Sequence, residues 1–162
     1  MSRRITDPSA LQGARQQILG MENYLKTTGL DVNLLDLVRT RVSQINGCAF
    51  CLSMHIQELL EHGEREDRIA VLSAWREAPW FSEREQAALA WAEAVTTLEN
   101  REVPDAVFEQ ARSQFSEQEL GDLILAVIAI NSWNRMNVAF RTPPRPFTID
   151  HAPASEEVAA AH

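Results

Sequence analysis

Residues 31 to 55 read DVNLLDLVRTRVSQINGCAFCLSMH. In the first half of this stretch, apolar residues fall at 34, 35, 37, 38, 42 and 45, the stripe of an amphipathic helix rather than the alternation of a strand. Asp31 stands where a helix N-cap belongs, since its carboxylate can accept the unpaired N–H groups of a first turn. Asn46-Gly47 is the strongest turn dipeptide in the chain. A second helix follows over about residues 48–61 and stops at His62-Gly63, with glycine in the place of a C-cap. Two helices joined by a tight turn set the class as all-α.

The same signals extend outward. Residues 64–75 can make a third helix, and Pro79 interrupts the chain after it. Ser82 with Glu85 three residues later forms a capping box, opening a long helix through Trp91 to about Leu98. Pro104 is read as the first-turn proline of a short helix to about Phe115. Ser116 with Glu119 repeats the capping box, and the helix it opens, to about Phe140, is the most apolar in the chain. Its Leu123, Ile124, Val127, Ile128 and Ile130 make a broad apolar face, which predicts the central core helix. The tryptophans at 75, 80, 91 and 133 are read as core or interface. No β-branched run alternates strictly. The expectation is a single-domain, all-α bundle of six to eight helices over residues 1–145, with residues 1–7 frayed. Residues 146–162, with Pro146 and Pro153 and the ending SEEVAAAH, read as an extended or disordered tail.

Composition narrows the function classes. A chain of 162 residues is the size of one domain. With 15 Lys and Arg against 23 Asp and Glu the net charge is −8, and no basic patch relieves it, so no nucleic-acid partner is expected. The longest unbroken apolar stretch, Leu123 to Ile130, is far short of the roughly 20 residues of a membrane span. The opening MSRRITDPSA lacks the apolar core of a signal peptide, and two cysteines are too few for a secreted disulfide scaffold. These features point to a cytoplasmic protein without a membrane partner.

Those two cysteines, Cys48 and Cys51, are spaced three apart at a predicted helix start. That spacing puts both thiols on one face within bridging distance, and a helix N-terminus stabilises a thiolate through its positive dipole end and free N–H groups. The pattern reads as a reversible dithiol, against the plainer possibility of two buried structural cysteines. His55, four residues after Cys51, shares that face and can move a proton to or from a thiol. A carboxylate is needed to orient it. Glu58 lies three residues further on the same helix, and Asp36 folds back beside His55 if the chain reverses at Asn46-Gly47; residue chemistry alone leaves the two equal. Zinc is a poor fit, because cysteine, cysteine and histidine sit on one helix with no fourth ligand, and Leu52 after the second cysteine excludes a c-type haem. No cofactor or metal is therefore expected. Asn131, Asn134 and Arg135 around Trp133 form an odd polar cluster near the end of the apolar helix, lining a site, a subunit contact or the surface.

The run LVRTRVSQINGCAFCLSMH (37–55) resembles the core motif of the alkylhydroperoxidase D-like branch of the carboxymuconolactone decarboxylase family. The segments 72–96 and 115–141 and the closing Pro143-Pro144 are similar too, so the likeness covers about residues 20 to 145. The resemblance implies a helical fold in a homo-oligomer, trimer or hexamer, and an antioxidant thiol peroxidase recycled by a dithiol donor of thioredoxin-like or lipoyl type. It makes Cys51 the thiol that attacks peroxide, Cys48 the resolving thiol and His55 the relay histidine. The family's relay glutamate falls on Asp36, which tips the choice of carboxylate toward Asp36. Asp36 is one methylene shorter than glutamate, and Phe50 stands where the best-known peroxidases of the family have a further histidine. Branches that decarboxylate the lactone generally lack the cysteine pair. The expected activity is reduction of a small peroxide through a Cys48–Cys51 disulfide. The alternatives are a stoichiometric sensor or chaperone for oxidants such as hypochlorite, and a decarboxylase-like lyase centred on His55.

Overall fold

Asp31 caps the first of the two decisive helices as its position demands. In the computed structural model, which describes residues 2–146, its Oδ1 accepts the Leu34 N–H at 2.9 Å at the start of α2 (Val32–Asn46). Gly47 closes α2 with φ +64°, a conformation that costs glycine nothing and other residues about 1–2 kcal/mol. The chain turns back at once into α3 (Ala49–Glu61), whose N-cap is Cys48 and which ends before Gly63 at φ +82°.

Five further α-helices complete the described chain: α1 (Gln12–Leu25), α4 (Glu66–Val71), α5 (Glu83–Thr97), α6 (Asp105–Gln114) and α7 (Glu117–Phe140). Seven helices and no strand among the described residues agree with the expected all-α bundle. Both capping boxes form, Ser82 with Glu85 on α5 and Ser116 with Glu119 on α7. The expected third helix divides, because α4 passes into a tighter 3-10 turn over Leu72–Glu77. Pro104 takes the N-cap with ψ 136°, one residue earlier than expected, and α6 starts at Asp105. α1 was not delimited by pattern, since it buries only Ile18 and Leu25 fully. The N-terminus is not frayed around Arg4, which donates its N–H to Phe140 O (3.2 Å) and Nη1 to Ala139 O (3.1 Å) at the end of α7. Of the tail expected from residue 146, only Pro146 lies among the described residues.

α7 is the core helix. Leu123, Ala126, Val127, Ala129 and Ile130 are fully buried against α1, α2 and α5. By length and composition α7 could cross a bilayer. It packs instead among the other helices, and its Asp122, Asn131 and Asn134 hydrogen-bond to Tyr24, Asn46 and Ser43 on other elements. α2 lies between two apolar clusters. Val38 and Val42 face α5 and α7, while Leu37 joins Leu59, Leu72, Trp75, Phe81 and Leu89 on the other side. Trp75 and Trp91 are buried as expected, whereas Trp80 is exposed. Glu93 of α5 gathers Arg41 Nε (2.7 Å), Trp75 Nε1 (3.0 Å) and Arg76 Nη1 (2.6 Å), fixing α2 and the 3-10 turn to α5. The α2–α3 turn that presents the cysteines is thus held on both sides.

Candidate active site

Cys48 caps α3 and Cys51 is the third residue of that helix, so the turn at Gly47 sets both thiols at one helix start. Both are free, buried at 1% and 0% exposure, with their sulfurs 2.7 Å apart. Cys48 Sγ also accepts the Cys51 backbone N–H at 3.4 Å, as an N-cap side chain does. The hydrogen bond from the Cys51 thiol, helped by that N–H, draws Cys48 down to about 7 against the opposing effect of burial. The same contact, burial and the nearby Cys48 charge push Cys51 up. The first proton of the pair therefore leaves more readily from Cys48, and the second is held on Cys51.

Amides from α7 steady this pair. Asn137 Nδ2 donates to Cys51 Sγ at 3.5 Å. Asn134, fully buried, donates to Ser43 Oγ (3.0 Å) and accepts from Asn46 Nδ2 (2.9 Å), and it favours the thiolate form of both cysteines. Asn46 Nδ2 also donates to Asn131 Oδ1 (2.9 Å). The odd polar cluster of α7 is the fastening between the core helix and the cysteine turn, while Arg135 stays exposed on Asn131. Asn137 was missed by sequence reasoning. Its signal was the step of three from Asn134, which continues the polar face toward the thiols.

His55 lies on α3 one turn beyond Cys51 and is 5% exposed. Its Nδ1 is 2.7 Å from Glu58 Oε2 and 4.0 Å from Asp36 Oδ1. Burial pushes the Glu58 carboxyl up, but the bond to His55 and the charges of His55, Arg39 and His62 outweigh it and hold it below its ordinary value. An ionised carboxylate only accepts, so Nδ1 carries the hydrogen and Nε2 faces away from Glu58. Nε2 is buried with no hydrogen-bond partner among the described residues, the cysteine sulfurs included. Asp36 is 2% exposed and its oxygens are engaged, Oδ1 by Arg39 Nη1 (2.9 Å) and Oδ2 by His62 Nδ1 (3.1 Å). The structure thus brings Asp36, His55 and Glu58 together, with Glu58 in direct contact with the imidazole and Asp36 across a gap. His62, read from sequence only as a helix end, joins this group through Asp36.

The ligand atoms of Asp36, His55 and Glu58 lie within 4.8 Å of one another, close enough to surround a cation. Within the cluster Arg39 engages Asp36 Oδ1 and His55 pairs directly with Glu58. Two cavities open near the cysteines and the carboxylates. One of about 320 Å³ is lined by Cys48, Phe50, Asn137, Pro143 and Pro144. The other, of about 480 Å³, is lined by Asp36, Arg39, Glu58 and His62. Cys48 adjoins the first, with Cys51 behind it at 2.7 Å, and the carboxylates adjoin the second.

Residues 11–94 match the carboxymuconolactone decarboxylase family. The uncharacterised protein YdfG of Bacillus subtilis (strain 168) is 37% identical over 139 residues, 86% of this chain and 95% of its own. The uncharacterised protein YnjA of Escherichia coli (strain K12) is 30% identical over 73% of this chain and 64% of its own. Among solved structures, a protein of unknown function from Agrobacterium tumefaciens, provisionally named an antioxidant defence protein AhpD, superposes with a TM-score of 0.85. It is 38% identical, over 90% of this chain and all of its own. The debrominase Bmp8 shares the fold at a TM-score of 0.66 and 16% identity, over 80% of this chain and 69% of its own. The family match over more than half of the chain and the shared helical frame lead to one conclusion: the chain belongs to the carboxymuconolactone decarboxylase family, in its alkylhydroperoxidase D-like branch.

Proposed function

We propose that this protein is a CxxC-dependent thiol peroxidase that reduces hydroperoxides through a Cys48–Cys51 disulfide. The observation that carries the reading is the pair of free, buried sulfurs 2.7 Å apart at the N-terminus of α3. Such a pair can pass from dithiol to disulfide with little movement of the helix.

In the monoanion of the pair the remaining proton lies between the two sulfurs. As a peroxide oxygen approaches Cys51, that proton passes onto Cys48. The Cys51 thiolate, still held by Asn137, attacks the nearer oxygen and the O–O bond breaks. A solvent proton taken up on His55 Nε2 passes to the leaving alkoxide, which departs as the alcohol, while Glu58 steadies the ring through Nδ1. Cys51 is left as a sulfenic acid. The Cys48 sulfur attacks it, hydroxide leaves, and the Cys48 proton goes with it as water. The hydroperoxide has gained two electrons, the dithiol has lost them, and one proton has entered through His55. The cavity beside Asp36, Glu58 and His62 offers that proton a route from solvent. An external dithiol, thioredoxin-like or lipoyl, then reduces the disulfide by exchange. The assembled form proposed is a homo-oligomer, trimer or hexamer, as the family resemblance implies.

Trapping with a dimedone reagent tests the order of the thiols. Cys48→Ser treated with tert-butyl hydroperoxide is expected to accumulate the Cys51 sulfenic acid adduct, and Cys51→Ser to accumulate none. An adduct on Cys48 in the Cys51→Ser protein would reverse the assignment. Peroxide consumption surviving loss of both thiols would favour a His55-centred reaction instead.

A further inference from the structure

We infer that the cavity walled by Phe50 and Asn137 binds an organic anion, so that the preferred substrate is an amphiphilic hydroperoxide bearing a carboxylate. The inference rests on the peroxidase reading for its chemistry and on a separate feature for its anion. Next to the small cavity at Cys48 lies another of about 360 Å³, and Phe50, Asn137, Pro143 and Pro144 line both. Asn137 reaches Cys51 Sγ at 3.5 Å, so the wall shared by the two cavities touches the proposed attacking sulfur. The lining of the larger cavity divides by chemistry. Ile5, Leu11, Met136 and Phe140 make it apolar, and Arg3, Arg15 and Arg145 stand exposed at its rim.

Three arginines at one mouth are out of character for a chain of net charge −8. Elsewhere arginines packed between helices meet carboxylates: Arg39 meets Glu22, Arg41 meets Glu93, and Arg68 meets Glu85. Arg3, Arg15 and Arg145 form no ion pair with any described residue. The walls that carry them are fastened: Arg4 bonds to the end of α7, and the Arg145 N–H donates to Ser53 Oγ at 3.2 Å while its guanidinium lies 5.7 Å over the Phe50 ring. The cationic rim is therefore built by Arg15 of α1 and by the segments carrying Arg3 and Arg145, held in place on α7 and α3. A cavity of this size lies within the range that takes a small amphiphile. Arginine forks pair with carboxylates in two parallel bonds, so the acid end would rest at the rim, the chain on the apolar wall, and the reacting end against Phe50 and Asn137.

Calorimetric titration of the reduced protein with decanoate and with decan-1-ol tests this without any turnover. Decanoate is expected to bind at least about tenfold more tightly than the alcohol, and its affinity to fall as salt is raised. The triple variant Arg3→Gln, Arg15→Gln, Arg145→Gln is expected to lose that margin with its circular dichroism melt unchanged. Arg15→Gln alone, on the exposed face of α1, is expected to lose about threefold if the triple variant folds poorly. Equal affinity for acid and alcohol, or decanoate binding untouched by the substitutions, would overturn the inference. The two readings fail separately. Thiols oxidised by tert-butyl hydroperoxide with no preference for decanoate would remove the anion site and leave the peroxidase. Arginine-dependent decanoate binding with thiols inert to every hydroperoxide would do the reverse.

Discussion

Replacing Cys51 by alanine isolates the contact that sets the polarity of the pair. In the native protein the Cys51 thiol is the foremost cause of the low Cys48 value of about 7, with burial opposing it and the Cys51 backbone N–H and Asn134 assisting. Cys51→Ala removes the S–H donor and keeps the backbone N–H, so part of the depression stays. The Cys48 titration is expected to rise by about 1 pH unit or more toward the ordinary thiol range, equivalent to about 1.4 kcal/mol of lost thiolate stabilisation. At pH 7 a thiol titrating near 7 is about half ionised, and one titrating near 8 about a tenth ionised. Iodoacetamide should then label Cys48 roughly fivefold more slowly at pH 7 in the variant. Thiolate absorbance near 240 nm, followed from pH 5 to 10, reads the midpoint directly and does not depend on reagent access. A variant whose midpoint stays near 7 would show that the helix terminus alone sets the value, and the shared-proton description of the pair would be wrong.

The remaining expectations concern the relay and the frame that holds it. Glu58→Gln is expected to slow sulfenic acid formation by about tenfold or more, and Asp36→Asn by less, because Glu58 touches the imidazole at 2.7 Å while Asp36 stands 4.0 Å away; stopped-flow oxidation of the two variants decides it, and the opposite order would return the relay to Asp36. Asn134→Ala should cost about 2–3 kcal/mol in urea unfolding, since it leaves buried polar partners on Ser43 and Asn46; a loss below about 0.5 kcal/mol would contradict the role given to the amide ladder. Burial pushes Glu93 up, but Trp75, Arg41 and Arg76 outweigh it and hold it below its ordinary value. Its contribution to stability is therefore fully present above the unfolded carboxyl value and lost as the pH falls through the lower folded one. Glu93→Gln should be less stable than the native protein by about 2 kcal/mol at pH 7, with the gap closing toward pH 3; a gap independent of pH would mean that charge is not the cause.

Much of this fold was legible because its helices announce their own ends. Asp31, Ser82 and Ser116 each cap the helix that follows, and Gly47 and Gly63 close α2 and α3, through local hydrogen bonds and backbone freedom that need no tertiary partner. Where the expectation slipped, tertiary packing decided. α1 has too narrow an apolar stripe to stand out, the helix after Glu66 tightens at Leu72, and Arg4 is ordered by carbonyls at the end of α7. The same division runs through the site. The Cys48–Cys51–His55–Glu58 series lies on one helix, so spacing alone placed it. Asn137 and His62 act across helices, and the choice between Asp36 and Glu58 turns on a distance that residue order does not contain.

The most direct test of the central claim is a thiol count with intact mass after one equivalent of tert-butyl hydroperoxide, on the native protein and on Cys51→Ser. The account predicts rapid loss of both thiols and of about 2 Da from the native protein, and neither change in the variant. Two thiols still titrating in the native protein after minutes, with its mass unchanged, would contradict it.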